Sequence, residues 1–182
     1  MTKEKSSLKI VVIGSHSTGK TTLARMLSKK FSIPMISEAA RKFDKEKISN
    51  ISSKEYINIQ KQILDMQLEE ESLRNEFISD RSTIDNAAYW IHNCSNNVKD
   101  IENINYIDKA IKNIPNYTHI FLLIPEFYPI SDNFRDTNIV YQLQIAEIIH
   151  TILVMYQIKH YRITGDIKTR FDKVMEVLEQ GF

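Results

Sequence analysis

Residues 14–21 read Gly-Ser-His-Ser-Thr-Gly-Lys-Thr, a full match to the pattern G-x-x-x-x-G-K-[ST]. This octet constrains the fold more than any other feature, because it has a physical meaning only where a strand runs into it and a helix leaves it. The flanks supply both. Leu8-Lys9-Ile10-Val11-Val12-Ile13 is a β-branched run that stops at Gly14, the pattern of a buried strand. Thr21 to Phe31 sets Leu23, Leu27 and Phe31 on one helical stripe. Gly14 and Gly19 permit backbone geometry that a Cβ would block. Several N–H groups can then turn toward one point, and the positive end of the following helix adds to their pull on an anion.

The residue types specify the anion. Lys20 supplies a mobile point charge for the β- and γ-phosphates of a nucleotide, and Thr21 a hydroxyl ligand for Mg²⁺. The candidate nucleotide-binding set is therefore Gly14, Ser15, His16, Ser17, Thr18, Gly19, Lys20, Thr21 and Thr22, with ATP and Mg²⁺ as cofactors. His16 has two readings, a contact to phosphate or acceptor and a solvent-facing loop residue; the second is preferred.

The rest of the chain alternates strands with helices. Met35–Ser37, Phe77–Ser79, His119–Ile124 and Tyr161–Ile163 read as further strands. Helices are expected over 38–47, 52–74, 82–92, 99–112, 138–157 and 167–180, with Ser52-Ser53-Lys54-Glu55 in capping-box form, Tyr56, Ile59, Ile63 and Met66 at helical spacing after it, and Ser82-Thr83-Ile84-Asp85 able to cap the 82–92 helix. The stripe of the 138–157 helix is read as Ile139, Leu143, Ala146, Ile149, Leu153 and Tyr156. Such alternation implies a three-layer α/β fold, a five-stranded parallel sheet with helices on both faces. No repeat or composition break divides the 182 residues. One domain over 1–182 is expected, with a lid segment near 125–137 bracketed by Pro125 and Pro129. The net charge of +1 gives no field that selects nucleic acid or an anionic membrane. The lone Cys94 forms no internal disulfide and no cysteine metal site. With the short polar start and apolar runs far too short to span a bilayer, a cytoplasmic setting is expected.

Ligands of open α/β sheets bind beyond the carboxyl ends of the strands, and charged residues gather there. Glu38 follows the second strand, with Arg41 one turn on; Asp80 and Arg81 follow the third; Arg135 follows the fourth, between Asp132 and Asp136. Phosphoryl transfer needs cations and an aligned nucleophile more than covalent chemistry. Asp80 is the candidate second metal residue beside Thr21, and Glu38 the candidate base or acceptor anchor. Arg41 and Arg81 are candidates for the acceptor, Arg81 either on phosphate or bracing Glu38, and Arg135 is the candidate lid arginine. Lys20, Glu38, Asp80, Arg81 and Arg135 form the catalytic set. Tyr89 and Trp90 read as core rather than as base-stacking residues, and Arg170 as part of a solvated helix face. Asp80 is followed by Arg81-Ser82-Thr83, not by D-x-x-G, and no N-K-x-D occurs, which disfavours signalling-type GTPases. The chain is also short for an oligomeric ATPase machine with its own lid domain.

Ser37-Glu38-Ala39-Ala40-Arg41, the Gln60/Gln67 helix ending in Glu69-Glu70-Glu71, Ile78-Ser79-Asp80-Arg81-Ser82 with Asp85 and Tyr89, and Asp132-Asn133-Phe134-Arg135-Asp136 follow the octet in order. Together they resemble the NadR-type ATPase/kinase family, which includes nicotinamide riboside kinase domains. The resemblance spans nearly the whole chain. It implies acceptor-site and lid roles for Glu38, Arg41 and Arg135. The Asp80-Arg81-Ser82 segment also resembles motifs of deoxynucleoside and thymidylate kinases, where nicotinamide riboside kinase domains have Asp-Thr-Asp. The implied activity is phosphorylation of a small nucleoside or nucleoside monophosphate, nicotinamide riboside or a deoxynucleotide among them. The rival is a nucleotide-binding regulatory switch or NTPase without such an acceptor. The expected partner is that small molecule, with no nucleic acid and no membrane, and the apolar helices are able to support a homodimer.

Overall fold

The computed structural model describes residues 7–43, 51–126 and 138–180. The expected strands form as β1 (Lys9–Ile13), β2 (Met35–Ile36), β3 (Phe77–Asp80), β4 (His119–Leu123) and β5 (Tyr161–Ile163). They pair in one parallel sheet in the order β2-β3-β1-β4-β5. The strand entering the octet is thus the central one. The register sets Val12 beside Asp80 on β3 and Ile13 beside Leu122 on β4, so the residues that follow β1 and β3 emerge side by side.

Helices α1 (Lys20–Phe31), α2 (Ser53–Ser72), α3 (Thr83–Asn93), α4 (Asp100–Lys112), α5 (Ile139–Met155) and α6 (Ile167–Gln180) cover both faces of the sheet. Successive strand residues point to opposite faces, and both faces are apolar. Val11 and Ile13 pack with Ile57 and Leu64 of α2, Ile84 and Ala88 of α3, Ala110 of α4 and Ile145 and Ile149 of α5. Ile10 and Val12 pack with Leu23 and Leu27 of α1 and Val174 and Leu178 of α6. This is the three-layer α/β arrangement the alternation implies, and it explains the nearly unbroken apolar composition of β1.

Three features differ from the periodicity reading. The 38–47 helix is, in its described part, a 3-10 turn over Ala39–Lys42, after which Phe43 is extended. Buried α5 positions are Gln142, Ile145, Ile149, Ile152 and Leu153, whereas Ile139, Leu143 and Tyr156 are exposed. This helix is apolar nearly all round, so a count of apolar spacings fits more than one stripe, and contact with α3 chooses the one used. Helix α2 buries polar groups as well as Ile57, Ile63 and Leu64. Glu71 accepts from Gln67 Nε2 (2.6 Å), Tyr117 Oη (3.1 Å) and Asn113 Nδ2 (2.5 Å). Burial pushes the Glu71 carboxyl above its ordinary pKa. Gln67 also donates to Ser79 Oγ on β3 (3.0 Å), and Tyr117 Oη receives the Thr83 N–H that opens α3 (3.2 Å). This seam fixes the β3–α3 junction, where Asp80 and Arg81 lie.

Candidate active site

The loop from Gly14 to Gly19 joins the carboxyl end of β1 to the first turn of α1. Gly14 has φ 140° and Gly19 φ 90°, both in the region that favours glycine. A Cβ on Gly14 would overlap the Leu123 carbonyl at the end of β4, and one on Gly19 would sit 3.3 Å from Arg170 Nη1. Ser17 also takes a positive φ, 59°. The loop is tightly enclosed: Ser15, His16, Thr18 and Lys20 are all buried.

Lys20 folds back over the loop. Its ammonium donates to the Ser15 carbonyl at 2.5 Å and lies 3.4 Å from Thr18 Oγ1. Burial first, and then the charge of Arg81, pushes the Lys20 pKa down to about 7, against the pull of Asp85, Asp80 and Glu38. Thr21 Oγ1 donates to Asp80 Oδ2 at 2.6 Å. The other Asp80 oxygen, Oδ1, is buried with no hydrogen-bond partner, as are the hydroxyls of Ser15 and Ser17. Buried polar atoms are nearly always satisfied in folded proteins, so orphans gathered at one loop point to a polar ligand. Thr22 is exposed on α1.

Arg81 organises the charged cluster beside the loop. It has φ 85°, an uncommon conformation for a non-glycine residue. Its Nε donates to Glu38 Oε1 at 2.6 Å, Nη1 lies 3.7 Å from Asp85 Oδ1, and its guanidinium carbon stands 4.8 Å above the centre of the Tyr89 ring. Burial opposes the Arg81 charge, yet Glu38 leads a set of anionic neighbours that hold its pKa above the ordinary value. Glu38, also buried, accepts from Arg41 Nε at 3.2 Å through its second oxygen. Arg81 therefore braces Glu38, the second of the two roles the sequence allows. Arg41 is the more exposed partner, with 38% of its side chain accessible.

The structure brings Lys20, Thr21, Asp80, Arg81, Glu38 and Arg41 to one end of the sheet. Arg135 and its neighbours Asp132, Asn133, Phe134 and Asp136 lie outside the described residues, and so does most of the expected lid. Two sequence readings are corrected. His16 does not face solvent: it is 4% exposed and stacks on Tyr141 at 5.5 Å between ring centres. Arg170 is not on a solvated helix face: it is 2% exposed and bonds the Thr18 carbonyl. Trp90 is core as expected, stacked on Tyr106 at 3.9 Å, and Tyr89 packs against the same core while also lying beneath Arg81. Asp85 was legible as a helix cap, and it does close a capping box with Ser82. It also accepts the Gly14 N–H at 3.1 Å, which no local pattern signals.

Among the described residues no helix is long and apolar enough to cross a membrane, and no group of three or more His, Cys, Asp or Glu side chains could hold a metal ion. Mg²⁺ needs no such cage, because it keeps several waters and takes one or two protein ligands plus substrate phosphates. The buried, unsatisfied Asp80 Oδ1 beside the Thr21 hydroxyl fits that demand.

A family model described as "AAA domain", a P-loop domain, matches residues 9–170. No curated protein matches the sequence. Solved structures do. Deoxyadenosine kinase from M. mycoides, with the products dCMP and a flexible dCDP bound, superposes with a TM-score of 0.73 at 16% identity, covering 96% of this chain and 100% of that one. NadR in complex with NR gives a TM-score of 0.69 at 20% identity over 96% of this chain, which spans 50% of the NadR chain. Thymidylate kinase from Candida albicans gives 0.69 at 17% identity, covering 97% of this chain and 92% of that one. The chain belongs to the AAA domain family of P-loop proteins, and its fold is that of nucleoside and nucleotide kinases and of NadR.

Proposed function

We propose that this chain is a single-domain phosphotransferase that moves the terminal phosphoryl group of ATP to a small nucleoside or nucleoside monophosphate. The observation that carries the reading is the pairing of Thr21 Oγ1 with Asp80 Oδ2 at 2.6 Å beside Lys20, with Asp80 Oδ1 and the Ser15 and Ser17 hydroxyls buried and unsatisfied. That set matches a polyphosphate with its cation. The compounds bound to the superposable proteins, dCMP and dCDP in one and NR in another, support a nucleoside-type acceptor.

In this reading the N–H groups of residues 15–20 hold the β- and γ-phosphates, and Lys20 leaves the Ser15 carbonyl to pair with them. Thr21 and Asp80 would hold Mg²⁺, which would neutralise charge on the phosphates. Glu38 and Arg41 orient the acceptor. An acceptor oxygen forms a bond to the γ-phosphorus while the bond from that phosphorus to the β–γ bridging oxygen breaks, and ADP leaves. Where the acceptor is a hydroxyl, its proton passes to the Glu38 carboxylate, which Arg81 fixes in place. Where it is a phosphate, no proton transfer is needed and Glu38 serves as an anchor.

The test is ADP formation from ATP and Mg²⁺ with a panel of nucleosides and nucleoside monophosphates. ADP that depends on one class of acceptor is the expected result. Tight nucleotide binding that no acceptor affects would support the regulatory switch instead. Phosphate release at one rate with and without acceptors would make the protein a plain NTPase.

A further inference from the structure

The phosphate-binding loop is held from behind by three buried side chains, each from a different helix. Asp85 of α3, 0% exposed, accepts the Gly14 N–H at 3.1 Å. Gln142 of α5, 1% exposed, donates from Nε2 to the His16 carbonyl at 2.8 Å. Arg170 of α6, 2% exposed, donates from Nη1 to the Thr18 carbonyl. The guanidinium is itself anchored, because Nη2 donates to Glu126 Oε2 at 2.7 Å and the same carboxylate oxygen accepts the Gly165 N–H at 2.9 Å. These residues stand 71, 126 and 152 positions from the loop atoms they bind.

Peptide planarity turns these bonds into control of the loop's donors. In a trans peptide the carbonyl and the next N–H point in opposite directions, and the described chain has no cis peptide. Holding the His16 carbonyl toward α5 turns the Ser17 N–H the other way. Holding the Thr18 carbonyl toward α6 does the same for the Gly19 N–H. Asp85 fixes where the loop begins, and its second oxygen ties that point to the Ser82 N–H at 2.9 Å, next to Arg81. Gly19 fits this design too, because a Cβ there would crowd Arg170 Nη1.

We infer that Asp85, Gln142 and Arg170 are positioning residues that preorganise the loop's amides for a polyphosphate. The inference rests on the loop being a polyphosphate site, as proposed above. A donor array fixed before the ligand arrives costs less to order on binding, so losing a brace weakens nucleotide affinity more than it weakens the fold.

The experiment compares Gln142→Leu, Arg170→Met and Arg170→Lys with the unaltered protein. Calorimetry measures affinity for a non-hydrolysable ATP analogue with Mg²⁺, and thermal melting without nucleotide measures the fold. Gln142→Leu and Arg170→Met are expected to lose about tenfold in affinity each. Arg170→Lys, which keeps a donor for the Thr18 carbonyl, should recover part of that loss. The KM for ATP should rise while kcat at saturating ATP stays within about twofold. Variants that melt lower yet bind the analogue as tightly as the unaltered protein would overturn the inference, since they would show a structural role only. If Gln142→Leu does not fold, the comparison of Arg170→Met with Arg170→Lys decides. Failure of the unaltered protein to bind the analogue would instead remove the polyphosphate reading, and this inference with it.

Discussion

Lys20 shows how a ligand site can burden the protein that carries it. Its ammonium is buried on the Ser15 carbonyl, and that burial drives its pKa down from 10.5 to about 7. Between those values the unfolded chain keeps a proton that the folded chain has released, so stability should rise with pH across that window. The difference in unfolding free energy between the unaltered protein and Lys20→Met, measured in urea as a function of pH, should climb from about pH 7 to about pH 10.5 and be flat below it. A difference that stays flat throughout would show that Lys20 is not desolvated. The same substitution should abolish ATP turnover while the fold survives. Glu38→Gln keeps the shape but loses the carboxylate, and for a hydroxyl acceptor it should lower kcat by about 10²–10⁴-fold. Lys20, Thr21 and Asp80 were legible in the sequence because a local motif and a strand end mark them. Asp85, Gln142 and Arg170 were not legible as loop partners. Their bonds cross the whole chain, and in sequence they look like a helix cap, a polar interruption and a surface charge.

The elements divide by how much their form depends on neighbours. Strands β1, β3 and β4 were legible because their apolar runs are buried on both faces, so composition alone marks them, whereas β5 is a short edge strand whose Arg162 is exposed. Helix ends were legible where a side chain caps them, as Ser52 with Glu55 and Ser82 with Asp85 do. The facing of α5 was not, because so many of its residues are apolar that packing, not spacing, selects the buried stripe. Ile145 is 0% exposed and Leu143 is 48% exposed. Ile145→Ala should therefore cost about 2–5 kcal/mol, and Leu143→Ala should stay within about 0.5 kcal/mol, both read from chemical denaturation. Equal effects would place α5 in the other register. The turn at Ala39–Lys42 escaped notice for a related reason. Glu38 is held by Arg81 from a different strand end at 2.6 Å, and that tertiary contact is absent from any local pattern.

At the scale of the molecule, the sheet order gathers the chemistry. Placing β1 between β3 and β4 sets the loop beside Asp80 and Arg81 on one side and against the end of β4 on the other. The β2 edge brings Glu38 to the same end of the sheet, where Arg81 binds it. The layered architecture and its P-loop were legible from alternation and one octet, and the cluster beside the loop only as a set of charged strand ends. Its exact pairing, Glu38 between Arg81 and Arg41, required the fold. The central claim is that the loop after β1 holds a polyphosphate, with Thr21 and Asp80 as the residues that would hold its cation. The most direct measurement is a crystal structure with a non-hydrolysable ATP analogue and Mg²⁺. It should show the β- and γ-phosphates against the amides of residues 15–20, Lys20 moved from the Ser15 carbonyl onto them, and the ion beside Thr21 and Asp80. A triphosphate bound elsewhere, with Lys20 still on the Ser15 carbonyl, would contradict the account.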